Sequence, residues 1–349
     1  MQPLIPFFAQ VGIDEVLDNG ATTARSIAEG WDKQWLDLLQ NNTSNNLYGA
    51  ITTLGIFFAV GTLLFFMIQW LKDVLYEEYA RPISGLIWPF LVVILLNNTG
   101  NGSILSNLTL GVRNVINGVN QQVIVTANTQ QVYQQALNMS VAEEVAGSLL
   151  RPCQSLTGEQ QNLCLQQASK KLKDLWRRYE ILYGGRKDWI DRLETKVDNI
   201  AFSTVNISEA SFNSLIGSTV QTSIKNFLIS SQYAFQNLIE ATMLLIAALG
   251  PIAVGGSLLP VAGKPIFAWL TGFLSIGIAK ISFNIIAILT SAVIVNGPGQ
   301  DANVDPDLMW FMIFLGILAP ILSLLVAAAG GFAVFSAISN TASLVRERI

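Results

Sequence analysis

Five long apolar runs constrain the fold of this chain more than any other feature. The first, Leu47 to Leu71, contains no charged residue, and a helix of that length, rising about 1.5 Å per residue, crosses a hydrocarbon core about 30 Å thick. The other four are Pro82 to Leu96, Leu238 to Leu259, Pro265 to Val295 and Leu308 to Ala337. These lengths predict helices that span a membrane.

The composition points to a membrane protein and away from catalysis. Apolar residues make up 51% of the 349 residues and charged residues 13%, whereas a soluble domain has about 25% charged residues. The chain contains no histidine, which removes the commonest metal ligand and the usual general base. We therefore expect an all-α polytopic membrane protein with about five transmembrane helices and a helical extramembrane domain, without enzyme activity, cofactor or metal.

Basic residues in the short loops predict the orientation, because lysine and arginine resist translocation. If every run spans the membrane, the basic residues of the short loops all fall on one side. These residues are Lys72, Arg81, Lys264, Arg346 and Arg348. That side is predicted to be cytoplasmic, which places the N terminus outside and the C terminus inside. The second run is short and contains Pro89, so it is either a short, kinked span or a re-entrant half-helix.

The resulting map divides the chain into five parts. They are an external N-terminal tail with an amphipathic helix (1–46), transmembrane helices 1 and 2 (47–98), a helical external domain (99–235), transmembrane helices 3 to 5 (236–340) and a cytoplasmic C-terminal tail (341–349). The tail helix is predicted from the stripe formed by Ile27, Trp31, Trp35 and Leu38. It packs on the external domain or lies among lipid headgroups, with a gating or pore-lining role as the alternative.

The external domain is predicted to contain a helical hairpin. A capping-box pattern from Thr157 to Gln160 opens a helix expected to end at Tyr183, before two glycines, and a shorter helix covers about Val141 to Leu150. Cys153 and Cys164 flank the turn. In an oxidising compartment they form a disulfide; free thiols facing the helical core are the alternative.

The densest charge lies beyond that turn, where aromatic residues are interleaved with basic ones. The candidate partner-contact patch is Lys170, Lys171, Lys173, Trp176, Arg177, Arg178, Arg186 and Lys187. Mixed signs along a helix are typical of a solvated, salt-bridged face or a protein contact. Direct nucleic-acid contact is the less favoured alternative.

Lys280, inside the fourth run, is the strongest candidate functional residue. An intramembrane cation costs at least about 2.5 kcal/mol unless it is paired or hydrated. Glu240, on the preceding run, is the predicted partner, and Ser282 and Asn284 add polarity near Lys280. The pair either fixes helix packing or lines a hydrated passage; both interpretations stay open.

One part of the chain resembles a known family. The segment Ala241 to Val295, with Leu259-Pro260, Lys264-Pro265 and Phe267-Ala-Trp269, is similar to the TrbL-like polytopic inner-membrane component of type IV secretion and conjugation systems. The resemblance implies a non-catalytic channel subunit in the bacterial inner membrane, present in several copies. It also implies a periplasmic external domain and partner ATPases that supply the energy.

These inferences predict a membrane scaffold or pore subunit of a multi-subunit translocation machine that moves protein or DNA across the inner membrane. Its expected partners are membrane lipid, other subunits of the complex and further copies of itself. The alternative is a self-contained transporter or channel that uses Lys280.

The orientation can be tested with a protease. Added to intact cells or outside-facing vesicles, it is expected to cut between Lys170 and Lys196, because the map places this segment outside. Electrophoresis of the fragments reads out the cut. Cleavage from the cytoplasmic side alone would reverse the map and remove the compartment argument for the disulfide.

Overall fold

The computed structural model describes residues 30–40, 47–75, 86–97, 102–126, 129–182, 184–202, 219–259, 263–296 and 308–348. The secondary-structure elements in these ranges are helices. In chain order they are α1 (30–39), α2 (Leu47–Leu75), α3 (Ile87–Leu96), α4 (Ile104–Thr126), α5 (Thr129–Leu150), α6 (Glu159–Leu182), α7 (Asp188–Phe202), α8 (Thr219–Ala248), α9 (Gly250–Gly256), α10 (Lys264–Asn296), α11 (Leu308–Ile313) and α12 (Ala319–Arg348). A 3₁₀ turn (Arg151–Ser155) precedes α6, and a π-helical segment (Phe314–Leu318) joins α11 to α12.

Four helical segments are long and apolar enough to cross a membrane. They are Leu47–Lys72, Ser230–Gly256, Lys264–Val293 and Trp310–Ala337. The predicted all-α polytopic membrane fold is therefore confirmed. The described residues give four helices of this length rather than five, because the second apolar run forms only the 10-residue α3.

Helices α3 and α4 lie alongside α10, one after the other, and run in the same direction as α10. Near the start of both paths, the rings of Trp88 and Phe267 lie 5.8 Å apart. Further along, Asn117 of α4 accepts a hydrogen bond from Lys280 of α10. The helix breaks after Leu96, where Asn97 adopts an extended backbone with ψ of 131°. The short second run thus continues, beyond a break, into a helix that the sequence analysis had assigned to the external domain.

The chain forms two compact units. The bundle unit comprises residues 25–127, 232–286 and 318–349, and the hairpin unit comprises 1–24, 128–231 and 287–317. Helix α4 therefore belongs with apolar helices, whereas the map derived from the sequence placed all of 99–235 in one external domain. The sides of the membrane on which segments lie stay predictions.

In the bundle unit, α2 and α9 meet at glycines, so that their backbones nearly touch. A Cβ atom on Gly255 would collide with the Gly55 carbonyl oxygen and come within 3.1 Å of the Ala59 nitrogen. The Thr62 hydroxyl donates a 3.0 Å hydrogen bond to the Gly255 carbonyl across the same contact. Small residues permit this close packing, which is typical of membrane helices.

The hairpin unit has an apolar core between α5, α6 and α7. Helix α6 starts two residues after the predicted cap and ends before Gly184, which has a left-handed φ of 63°. Helix α5 begins at Thr129, well before the predicted Val141. The structure joins Cys153 and Cys164 in a disulfide with Cα atoms 5.5 Å apart, which staples the 3₁₀ turn to the first turns of α6.

The glycine contact gives a stability prediction with a control on the same helix. Gly55→Ala should destabilise the protein by about 1–3 kcal/mol, because its Cβ would lie 2.5 Å from the Pro251 carbonyl oxygen. Gly61→Ala, with nothing within 4 Å of the added carbon, should stabilise α2 by about 0.5–1 kcal/mol. Thermal unfolding in mild detergent measures both, and equal midpoints for the two variants would contradict the close α2 to α9 contact.

Candidate functional site

A partly buried ionic cluster lies where α1, α4, α8 and α10 meet in the bundle unit. The Lys280 ammonium contacts a carboxylate oxygen of Glu240 and donates a 2.8 Å hydrogen bond to the Asn117 side-chain oxygen. Both charges are withdrawn from solvent, with side chains 20% exposed for Lys280 and 13% for Glu240. The structure thus places the predicted partners together.

Arg113 of α4 adds a second cation that sequence reasoning missed. Its guanidinium donates a 2.6 Å hydrogen bond to Asp32 and lies 3.8 Å from the second carboxylate oxygen of Glu240. The Arg113 side chain is 8% exposed, whereas that of Asp32 is 61% exposed. We call these four residues, Asp32, Arg113, Glu240 and Lys280, the charge centre.

The aromatic stripe of α1 docks on this centre. The Trp35 indole is fully buried; it donates a 3.2 Å hydrogen bond to Glu240 and lies under the Arg113 guanidinium, 4.8 Å from the ring centroid. The Trp31 indole donates to the Asn237 side-chain oxygen at 2.7 Å. Two residues of the predicted stripe therefore contact α8; Ile27, also predicted in the stripe, lies outside the described residues.

The charge centre lies well inside the candidate spans. Lys280 is about 24 Å from Lys264, and Glu240 is about 24 Å from Gly256, at about 1.5 Å per residue. Gly256 ends α9 and Lys264 begins α10, so Glu240 and Lys280 lie at matching heights along their helices. The two acids and two bases of the charge centre cancel, which is the arrangement that makes charges tolerable in an apolar surrounding.

Helix α4 turns a stripe of polar side chains towards the interior of the bundle unit. The stripe has spacings of three and four residues and is buried or half-buried: Ser103, Ser106, Thr109, Arg113, Asn117 and Asn120. Apolar residues such as Leu105 and Ile116 are buried beside it, and the outer face exposes both apolar and polar residues, for example Leu108 and Asn114. Polar side chains on the inner side of a helix are expected where the helix packs around buried charges.

The sequence map grouped α4 with the external domain because residues 99–235, taken together, are rich in asparagine and glutamine. The helix itself is apolar on average. The spacing of its polar residues was a usable signal, but periodicity alone does not say whether the polar or the apolar face points inward.

The other predicted neighbours of Lys280 separate into two sides of α10. Asn284, four residues along, lies on the same face and donates a 2.7 Å hydrogen bond to Asn120. Ser282, two residues along, points about 200° away around the helix and does not share that face. Asn284 therefore extends the polar contact between α4 and α10, and Ser282 does not.

The predicted patch in the hairpin unit is only partly a surface. Trp176 is 2% exposed and belongs to the apolar core, because it lies on the inner stripe of α6. Arg186 pairs with Glu180 at 2.9 Å and contacts Asp191 and Glu194; Lys173 pairs with Asp198 at 3.1 Å. The exposed members are Lys170, Lys171, Arg177, Arg178 and Arg186, with Lys187 half-buried.

In the described ranges, no group of three or more histidine, cysteine, aspartate or glutamate side chains is arranged to hold a metal ion. The charge centre itself brings together two carboxylates, but each is already in contact with a cation. Its geometry favours fixing helices together over binding a metal.

The charges of this cluster predict that neutralising Glu240 and neutralising Lys280 lower the unfolding free energy by different amounts. Glu240→Gln leaves Arg113 and Lys280 beside an uncharged amide, and we expect a loss of about 3–5 kcal/mol in unfolding free energy. Lys280→Met leaves Glu240 near Arg113 and should cost less. The double variant restores neutrality and should be more stable than Glu240→Gln alone. Detergent-denaturant titration measures the cycle; additive losses would show that the pair is not coupled.

Comparison of the chain with protein-family models, with curated proteins and with solved structures gives no match. The likeness to TrbL-like proteins noted from the sequence therefore stays a resemblance. The charge centre and the polar inner stripe of α4 are the features of the molecule that bear on its function.

Proposed function

We propose that this protein is a non-catalytic scaffold or pore subunit of a multi-subunit, type IV secretion-like translocation machine in a bacterial inner membrane. In this proposal it moves protein or DNA together with partner subunits and further copies of itself. The N terminus lies in the periplasm and the C terminus in the cytoplasm.

The observation that carries the proposal is the position of Glu240 between three other helices. Its carboxylate contacts Lys280 of α10, the Trp35 indole of α1 and, at 3.8 Å, Arg113 of α4. A carboxylate held by two cations and an indole is fixed, whereas a proton relay needs a group that is free to change partners. The arrangement supports a framework role at rest.

The polar inner face of α4 supports a pore rather than a simple anchor. An anchor helix needs apolar packing only, and polar residues among lipid-exposed helices cost free energy unless they serve pairing or a hydrated path. Asn117 and Asn120 continue that face beyond the charge centre through contacts with Lys280 and Asn284.

The hairpin unit supports a role in docking other subunits. Its disulfide is the kind of staple found in extracellular and periplasmic compartments. The outer face of α6 exposes Lys170, Lys171, Arg177 and Arg178 around one acid, Asp174. Such a face suits a partner protein with acidic side chains.

A self-contained transporter or channel that uses Lys280 is the second candidate. Interrupted helices favour it, because transporters often place binding sites where helices break. Here α8 gives way to α9 between Ala248 and Gly250, and the π-helical Phe314–Leu318 interrupts the last apolar segment.

Isolation in mild detergent with mass measurement distinguishes the two candidates. The machine-subunit proposal predicts a species well above the 38.0 kDa of one chain, with other chains co-purifying. Recovery as one species without partners would favour the transporter. In that case Lys280→Leu should abolish flux in reconstituted vesicles while folding stays near normal, whereas for a scaffold pair the same change impairs assembly.

A further inference from the structure

Helix α1, whose described part is residues 30–39, is held in the bundle by apolar and polar contacts together. The Trp35 and Leu39 side chains are fully buried. Its polar anchors are the Trp31 to Asn237, Asp32 to Arg113 and Trp35 to Glu240 contacts. Trp35 also packs edge-to-face against Phe273, with ring centroids 6.2 Å apart.

Beneath α1 begins a continuous line of polar side chains where α4, α8 and α10 meet. We call it the polar seam; its members are Arg113, Asn117, Asn120, Asn237, Glu240, Lys280 and Asn284. Lys280 donates a hydrogen bond to Asn117, and Asn284 donates one to Asn120. These two contacts join α4 to α10 along the polar seam. The Arg113 Nε, although buried, has no hydrogen-bond partner among the described residues, and such an orphan donor favours entry of water.

We propose that α1 is a plug that closes a polar passage along this seam, and that the Asp32 to Arg113 pair is the latch that holds it. The proposal rests on the pore function proposed above. In the resting subunit, with α1 docked, the passage is closed.

The charges give the latch a physical logic. With α1 docked, the charge centre sums to zero. When α1 leaves, Asp32 leaves with it, and Arg113 and Lys280 face Glu240 alone with one net positive charge. An unbalanced charge in an apolar surrounding draws in water. The opened seam is therefore hydrated and cationic, so that chloride, a small probe anion, enters it more readily than sodium.

Of the polar contacts that hold α1, the latch includes the side chain most open to water. The Asp32 side chain is 61% exposed, so water can replace its bond to Arg113. The Glu240 and Lys280 side chains are only 13% and 20% exposed. Undocking α1 exposes the fully buried Trp35 and Leu39 side chains, which stabilise the docked state, whereas Glu240 of α8 keeps Lys280 of α10 as its partner.

Cysteine labelling tests the plug. Both native cysteines are joined in the disulfide, so Asn284→Cys provides a single reactive thiol in the seam. In the full-length protein, with its partners, in vesicles, a membrane-impermeant thiol reagent should label this cysteine slowly. Adding Asp32→Asn should raise the labelling rate at least about tenfold, and deleting residues 30–39 should raise it at least as much.

One matched variant controls the test. Asp32→Glu keeps a carboxylate opposite Arg113 and should label slowly. Chloride efflux from the same vesicles should rise with Asp32→Asn and exceed the efflux of sodium.

Several results would overturn the plug. Fast labelling with α1 intact would mean that the seam is already open. Slow labelling of Asp32→Asn, or fast labelling of Asp32→Glu, would remove the latch. Co-purification separates the failure of the plug from the failure of the proposed function. If partners co-purify with the protein but Asp32→Asn leaves the labelling rate unchanged, the plug alone is overturned. If the protein is recovered without partners, the machine-subunit function is overturned.

Discussion

The structure of the bundle unit depends on the shared carboxylate of Glu240. It lies about midway along its span and is contacted by Lys280, Arg113 and the Trp35 indole. None of these charged groups would be stable there alone, because each would lose its hydration without compensation. Their mutual neutralisation fixes the register between α4, α8 and α10. The same constraint draws α1 into the bundle, since the closest acid to Arg113 comes from Asp32.

That register also determines what α4 buries. The helix can bury Arg113 because the acids Asp32 and Glu240 meet it inside the bundle unit. Together with α3 it follows α10 as an interrupted path, although neither helix alone has the length and apolarity of a span. The plug, the passage and the framework role that we propose all follow from this one arrangement of paired charges.

Part of the site was predictable from sequence. A lone lysine in an apolar run requires a partner, and helix rise placed Glu240 at a comparable height, which is where the structure has it. The cysteine pair was similarly accessible, because both residues flank a turn between two predicted helices. Arg113 was not, since residues 99–235 were assigned as a whole to a polar external domain. Trp176 was assigned to a surface because its neighbours are basic, whereas its own position on α6 falls on the buried stripe.

The sequence by itself determined the fold class, the long apolar helices and the helical hairpin, because these follow from local composition and periodicity, which need no knowledge of distant residues. Only the tertiary structure decided the inward direction of α4, the docking of α1 and the fourfold charge centre. Those depend on contacts between residues separated by 40 to 206 positions. Such contacts are selected by the cost of burying charge, and this cost is visible only once the helices are packed.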